Sequence, residues 1–142
     1  FQEVDMINAV EQATGVRPSE TYLGDINLFA VFDNEDNVSN MTPNFDAVSK
    51  LDGQGLIISS SSNQYDFVSR YFCPKYGINE DPVTGSAHTT LIPYWSEKLN
   101  KISLEAKQVS KRGGELFCEN TENRVLIGGN AVLYMKGVIE ID

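Results

Sequence analysis

Residues 80–88, which read EDPVTGSAH, bring together the side chains of this sequence that are best suited to chemistry. Two carboxylates are followed by a hydroxyl, a glycine and the start of a predicted helix. Gly85 would let backbone amides approach a ligand closely, and Ser86 would add a hydroxyl at the helix N-terminus. Free first-turn amides and the helix dipole favour an anion there. The segment therefore predicts a site for a ligand that carries a carboxylate.

Asp81 would lie just outside this helix N-terminus. From there its carboxylate could exchange a proton with the carbon next to the anchored carboxylate of the ligand, as in general acid/base catalysis. Asp-Pro and Thr-Gly-Ser are also common turn and helix-capping sequences, so the same residues could do no more than start a helix. The residue types alone leave both interpretations open.

The histidine and the cysteines of the chain are weaker candidates. His88 is the only histidine and falls in the first turn of the predicted helix, where it could carry a proton, but a structural role is the simpler prediction. Cys73 has no histidine near it in sequence that could serve as its base. We expect Cys73 and Cys118 to be buried packing residues, and we predict no metal site and no cofactor.

The composition limits the class of protein. The chain has 142 residues, with 11 Lys and Arg against 20 Asp and Glu for a net charge of −9, and this length can form a core without disulfides. Most of the net negative charge lies in residues 1–71, so the second half can better receive an anion. There Lys98, Lys101, Lys107, Lys111 and Arg112 predict a local positive field. A nucleic-acid partner is disfavoured by the net charge. No apolar stretch is long enough for a membrane helix, and two unpaired cysteines favour a cytoplasmic location.

Hydrophobic periodicity predicts the elements that must position residues 80–88. Helical spacing predicts helices at 3–14, 43–51 and 87–99, with Pro93 expected to kink or shorten the last. Strands are predicted in this order: 21–32, 56–58, 65–72, 102–109, 115–119, 124–127 and 131–141. Polar turns are predicted at 33–37, 59–63 and 120–123. Many short antiparallel strands and one long apolar helix indicate an α+β fold in which a curled sheet wraps around the helix.

Four motifs resemble the PhzF-like (phenazine biosynthesis-like) family, which has the diaminopimelate epimerase fold. They are RYFCP at 70–74, GINEDPVTGSAH at 77–88, PYW at 93–95 and QVSKRGGEL at 108–116. The likeness runs from about Tyr65 to the C-terminus, whereas the first sixty residues match only in general layout. The resemblance implies one half of a two-domain protein, a curled, mostly antiparallel β-sheet or barrel around a central helix. Residues 1–142 are accordingly expected to be a single domain, the C-terminal half, with the N-terminal half absent from this chain.

The resemblance also implies roles for individual residues. Asp81 is the catalytic residue, and Gly85, Ser86 and Thr84 bind substrate, with Gly85 beside the substrate carboxylate. In the family the principal acid/base glutamate and a histidine come from the other half, so His88 does not inherit the role of that histidine. Residues 79–90 contain no cysteine, which argues against the two-thiol chemistry of other epimerases with this fold.

The function that the resemblance implies is that of a cofactor-independent isomerase. Proton transfer by carboxylates would shift a double bond or a hydrogen within a small unsaturated carboxylic acid bound between two similar domains. The expected partners are this acid, the missing half or a companion chain, and a second copy in a homodimer. The alternative is a non-catalytic small-acid binding or assembly domain, and on either interpretation the isolated chain is expected to be inactive.

Overall fold

The computed structural model describes residues 1–121 and 123–141. Its eight strands lie in sequence order in one mixed sheet. The strands are β1 Gln2–Glu3, β2 Glu20–Leu23, β3 Leu28–Val31, β4 Leu56–Ser61, β5 Phe67–Phe72, β6 Ser103–Gln108, β7 Gly114–Asn120 and β8 Val125–Gly128. The helices are α1 Ile7–Thr14, α2 Glu35–Ser39, α3 Phe45–Val48 and α4 His88–Leu99, and a 3₁₀ turn spans Pro74–Tyr76.

Two parallel pairings, β3 with β4 and β5 with β6, interrupt an otherwise antiparallel sheet. A parallel pair needs a crossover, and crossovers are almost always right-handed. In both crossovers the new strand is added on the same side of the strand before it. The second pair of strands runs opposite to the first pair, because β4 and β5 are antiparallel. Two right-handed crossovers must therefore pass over opposite faces of the sheet. The residues of α2 and α3 indeed pack on one face, and those of α4 pack on the other.

The alternation of side chains in the central strands builds a core on each face. Phe29, Ile57 and Phe67 pack with α4, whereas their neighbours Leu28 and Ile58 pack with α1, α2 and α3. Burial on both faces explains why β3 and the first half of β4, residues 56–58, contain no polar side chain. The expected α+β fold with a curled sheet is confirmed, but the sheet is open and no barrel is present in the described residues, since β1 and β8 do not pair.

Helix α4 runs unbroken through Pro93 to Leu99, and its C-cap residue Asn100 has a φ of 52°. The prediction that Pro93 shortens this helix is wrong. Proline removes one backbone hydrogen bond, but Ile92, Tyr94 and Trp95 around it are all buried. Their packing against the sheet offsets that loss. No helix in the described part of the chain is long and apolar enough to span a bilayer.

Three sequence-based boundaries differ from the structure. The predicted strand at 21–32 is the hairpin of β2 and β3, because Gly24 donates its amide to the carbonyl of Asn27 (2.9 Å) and turns the chain. The predicted turn at 59–63 begins too early, since Ser59 is a strand residue whose hydroxyl donates to the carbonyl of Val68 (2.7 Å). The predicted turn at 33–37 contains the start of α2, which Asn34 caps.

The C-terminal region departs furthest from expectation. Residues 131–141 were predicted to form a strand, but they pair with no other strand among the described residues and their apolar side chains are exposed. A strand needs a neighbour for its backbone hydrogen bonds, and among the described residues this segment pairs with neither edge strand of the sheet, β1 or β8. The predicted turn at 120–123 includes Glu122, which lies outside the described residues.

Candidate active site

A cleft of about 550 Å³ lies where the loop before α4 meets the end of β5 and the turn between β2 and β3. Asp81, Thr84 and Ser86 line it from the loop before α4, as predicted for one site. The other side chains that line it include Asn27, Tyr71, Cys73, Tyr76, Thr89 and Thr90. The structure thus brings the predicted catalytic residue together with two of the three predicted substrate-binding residues in one depression.

Three hydrogen bonds fix Asp81. Its amide donates to the carbonyl of Tyr71 (3.1 Å), and its own carbonyl accepts from Nε2 of Gln108 (2.7 Å). The carboxylate accepts the hydroxyl proton of Thr84 on Oδ2, at 2.6 Å. The carboxylate is therefore held at one oxygen, and within the described residues Oδ1 has no hydrogen-bond partner and can face a ligand.

Gln108 is a site residue that sequence reasoning missed. It lies at the end of β6 and is almost completely buried. Its Oε1 accepts the amide of Thr84 (2.7 Å), while its Nε2 donates to the carbonyl of Asp81 and to the hydroxyl of Thr84 (3.3 Å). One side chain thus fixes both ends of the turn. The sequence did contain a signal for this burial, because Gln108 continues the alternation of Leu104 and Ala106, which occupy the buried positions of β6.

Thr84 differs from its predicted role in one respect. Its hydroxyl proton already goes to Asp81, and the side chain is buried. It is therefore placed to orient the carboxylate of Asp81.

The N-terminal end of α4 is open. A turn over residues 85–87 leads into the helix, and the N-cap residue Ala87 provides no side-chain hydrogen bond. Among the described residues, the amides of Gly85, Ser86 and Ala87 donate to no acceptor. Such free amides, together with the helix dipole, attract an anion.

Nothing in the described chain requires a glycine at position 85. Its φ is not positive, and a Cβ built there would meet no atom within 4 Å. A glycine that the fold does require has close neighbours: a Cβ built on Gly55 would lie 2.5 Å from the ring of Tyr71. The space beside Gly85 is open, although Gly85 itself is not among the residues that line the cleft.

His88 lies in the core and does not line the cleft. Burial lowers its pKa, despite the hydrogen bond to the carbonyl of Thr84 (2.8 Å). The ring is neutral at pH 7, and because a carbonyl only accepts, Nδ1 carries the proton. His88 therefore helps to hold the turn before α4, in line with its predicted structural role.

Tyr71 and Asn27 form a second polar element of the cleft that the sequence did not reveal. The Tyr71 hydroxyl donates to Oδ1 of Asn27 (2.8 Å), and burial raises the pKa of Tyr71 to about 12. Cys73 is buried, as expected, but it also lines the cleft. Burial and then the charge of Asp81 raise the pKa of this thiol. Both groups are protonated at pH 7.

Arg70 holds the loop in front of Asp81. Its guanidinium makes a two-point ion pair with Glu80, at 2.7 and 3.0 Å, and also donates to the carbonyl of Met41 (2.7 Å). The two side chains are only 12% and 18% exposed. A paired fork of this kind fixes orientation as well as charge, so the backbone next to Asp81 is anchored to β5.

The predicted positive field is neutralised in part, since two of its five cations form ion pairs, and none of the five lines the cleft. Lys98 pairs with Glu20 and Lys101 pairs with Asp66, and neither lysine lines the cleft. Anion binding in the cleft must therefore depend on the open end of α4. In the part of the chain that the structure describes, no cluster of three or more His, Cys, Asp or Glu side chains is placed to hold a metal ion.

The model of the PhzC–PhzF family, described as phenazine biosynthesis-like protein, matches residues 3–137. The chain belongs to this family. An uncharacterized isomerase of Pseudomonas aeruginosa is 45% identical over 139 residues, which are 98% of this chain and 53% of that protein. An uncharacterized isomerase of Halalkalibacterium halodurans is 40% identical over 131 residues, 91% of this chain and 49% of that protein.

Solved structures agree with this assignment to the PhzC–PhzF family. A PhzF family protein of Enterococcus faecalis superposes with a TM-score of 0.90 at 50% identity, over 96% of this chain and 52% of that one. A PhzC/PhzF protein of Clostridium difficile gives 0.84 at 44% identity, over 99% and 54%. The chain spans about half the length of the relatives it matches. Their names support an isomerase-like function in general terms.

Proposed function

We propose that this chain supplies one wall of an isomerase active site, in which Asp81 moves a proton on a small unsaturated carboxylic acid. The observation that carries the proposal is the arrangement in the cleft. The Asp81 carboxylate accepts a hydrogen bond from Thr84, and the Asp81 carbonyl accepts one from Gln108. Asp81 lies four residues before the first of the free amides at the open end of α4, which suit an anion. In this proposal Gly85 and Ser86 bind the carboxylate of the acid, and Thr84 orients Asp81.

The arrangement supports a proton shift that needs no redox step. With the ligand carboxylate at the end of α4, Asp81 would accept a proton from an adjacent carbon. The C–H electron pair would form a new double bond, and the old double bond would take up at its far carbon the proton that Asp81 had accepted. Asp81 would thereby become a carboxylate again. Carboxylates at hydrogen-bond distance from such a carbon contribute about 10²- to 10⁴-fold to the rate.

The second wall would come from the part of the relatives that this chain does not match, either as the other half of one protein or as a companion chain. In this proposal the described chain is the C-terminal half, and two copies of the complete protein can associate as a homodimer. Because both cysteines are free and buried, we also propose a cytoplasmic location.

The test compares the 142-residue chain with a chimera in which it replaces the matching part of the Enterococcus faecalis protein. Each is incubated in heavy water with a panel of small unsaturated carboxylic acids, and deuterium uptake into the acids is followed by mass spectrometry. We expect uptake with at least one acid in the chimera and none with the chain alone.

Saturable binding of an acid to a folded chimera without deuterium uptake would favour a small-acid binding domain and reject the isomerase. Binding is measured by calorimetry, with thermal unfolding as the control for folding. Uptake by the isolated chain at the rate of the chimera would reject the need for a second wall.

A further inference from the structure

Asn27 and Tyr71 line the same cleft as Asp81 and form a polar pair that the proposed proton transfer does not use. The Tyr71 hydroxyl donates to Oδ1 of Asn27 (2.8 Å), so this oxygen is occupied. Nδ2 of Asn27 carries two protons and has no acceptor among the described residues. It is not one of the described side-chain atoms that are buried without a partner. The amide nitrogen is therefore accessible from the cleft.

The proton of Tyr71 fixes which way the amide of Asn27 faces. Burial raises the pKa of Tyr71 to about 12, so the hydroxyl keeps its proton at pH 7, and Asn27 is its one acceptor in the described part of the chain. If the amide were turned over, Nδ2 would face the hydroxyl and the proton of this buried tyrosine would lose its partner, which is costly. Asn27 therefore presents a hydrogen-bond donor to the cleft.

Both side chains are held in place before a ligand arrives. The ring of Tyr71 lies so close to Gly55 that a Cβ there would come within 2.5 Å of its hydroxyl oxygen. The backbone carbonyl of Asn27 accepts the amide of Gly24 (2.9 Å), which fixes the turn between β2 and β3. A donor that is already fixed loses little conformational freedom on binding, so more of its hydrogen-bond energy contributes to affinity.

Tyr71 also connects Asn27 to the proposed base. Its backbone carbonyl accepts the amide of Asp81 (3.1 Å), while its hydroxyl holds Asn27. One residue thus fixes the amide donor and the carboxylate relative to each other. The cleft that contains both groups has a volume of about 550 Å³, the size of a small-molecule site.

We propose that Asn27 is a specificity-determining residue, which selects acids that carry a second oxygen acceptor, a carboxylate or a carbonyl, away from the carboxylate at the end of α4. Tyr71 is its positioning residue. This inference rests on the proposed function, because it takes the cleft to bind an acid at α4. A site that is built to hydrogen-bond a ligand discriminates against analogues that leave its polar group unpaired. An ammonium group would find no acceptor on Asn27, even though the net charge of −9 favours cations.

Three acids that differ at the far end test this selectivity: trans-3-hexenoic acid, trans-3-hexenedioic acid and 6-amino-trans-3-hexenoic acid. They carry a methyl group, a carboxylate and an ammonium group there, respectively. In calorimetric titrations of the chimera we expect the diacid to bind at least about 10-fold more tightly than the monoacid. This exceeds the factor of about two that its two equivalent ends give. The amino acid should bind most weakly.

Variants of the polar pair separate the donor from its orientation. Asn27→Asp replaces the donor by an acceptor and should reverse the order of the diacid and the amino acid. Because this change also adds a charge, the neutral variant Tyr71→Phe is compared: the amide remains but is no longer held, so the preference for the diacid over the monoacid should fall by about 3-fold or more. Asn63→Asp makes the same chemical change at an exposed position outside the cleft and should keep the order of the natural chain.

Equal affinities for the diacid and the monoacid in a folded chimera would overturn the role of Asn27, and so would an unchanged preference in both variants of the pair. Deuterium uptake without such a preference would leave the proposed function intact. Selective binding without uptake would reject the isomerase and keep the acceptor site.

Thermal unfolding shows whether the chimera and its variants are folded. If the chimera does not fold, the isolated chain is titrated with millimolar acid and followed by heteronuclear NMR. The side-chain amide signal of Asn27 should then shift more with the diacid than with the monoacid, and equal shifts would contradict the proposal.

Discussion

At the scale of single residues, Asp81 is the group on which the proposed chemistry depends. In the chimera, Asp81→Asn should lower the rate of deuterium uptake by about 10²-fold or more, because the variant keeps an oxygen for the Thr84 hydroxyl but loses the base. Asp25→Asn is the matched control, since Asp25 also lines the cleft but has no proposed role. Equal losses in both variants would assign the effect to the charge of the cleft, and unchanged uptake in Asp81→Asn would reject the role of Asp81.

Gly85 permits a second test at the same scale. Gly85→Ala should leave the unfolding temperature unchanged, since the added Cβ meets no atom of the chain and φ is not positive. The methyl group should nevertheless block the approach of a ligand carboxylate to the amides at the end of α4 and weaken its binding by about 10-fold or more. Calorimetric titration of the chimera with the active acid measures this. Gly129→Ala, a similar change outside the cleft, is the control, and normal binding by Gly85→Ala would contradict the proposed carboxylate site.

At the scale of elements, β6 holds the loop before α4 through Gln108. Gln108→Leu should destabilise the chain by about 2–4 kcal/mol, because the buried amide of Thr84 and the carbonyl of Asp81 each lose their partner. Urea unfolding measures the change. Gln64→Leu, at an exposed position, is the control and should change stability by less than about 0.5 kcal/mol. A similar small effect for Gln108→Leu would mean that the loop is held by other contacts.

Glu20 joins β2 to α4 and makes stability depend on pH. Burial raises the pKa of Glu20, but hydrogen bonds from Lys98, Tyr22 and Tyr94 outweigh it and leave the pKa below its ordinary value of 4.5. The unfolded chain therefore binds a proton at higher pH than the folded chain. The stability that the Glu20 carboxylate adds is present above about pH 4.5 and is lost as the pH falls through the lower, folded pKa.

The variant Glu20→Gln has no titrating carboxylate at this position, so comparing it with the natural chain isolates the contribution of Glu20 to the pH dependence of stability. Urea unfolding between pH 3 and 7 should show the natural chain losing more stability on acidification than the variant. We expect a difference below about 1 kcal/mol, as for partly exposed ion pairs. Glu11→Gln, in the exposed pair with Arg17, is the control and should lose as much stability on acidification as the natural chain. An equally large loss in Glu20→Gln would show that Glu20 does not contribute to the pH dependence.

At the scale of the whole molecule, the proposal of a second wall rests on a contrast between the cores of the described chain and its surface. Its two cores are complete, with Phe29, Ile57, Ile58 and Phe67 fully buried. In its cleft, however, the carboxylate of Asp81 is held by a hydrogen bond at only one of its oxygens. The apolar side chains of its last eleven described residues are exposed. The domain is packed like a finished fold, whereas its cleft and its final segment are each suited to a further surface.

Local information in the sequence was enough for much of this protein. Alternation within strands predicted the central sheet, and helical spacing predicted α4 almost to the residue. The short stretch at 80–88 predicted three of the side chains that line the cleft, Asp81, Thr84 and Ser86, because residues a few positions apart are neighbours whatever the rest of the chain does. Motif resemblance predicted the family, and the match over residues 3–137 confirmed it.

Only the tertiary structure decided the contacts between distant parts of the sequence. The bond from Gln108 to Asp81 spans 27 positions and that from Tyr71 to Asn27 spans 44, so no local pattern could reveal either. The strand pattern at 131–141 was read correctly as alternation and wrongly as a strand, since a strand exists only with a neighbour. Periodicity fixes which side of an element is apolar; what that side contacts depends on where the rest of the chain, or another domain, is placed.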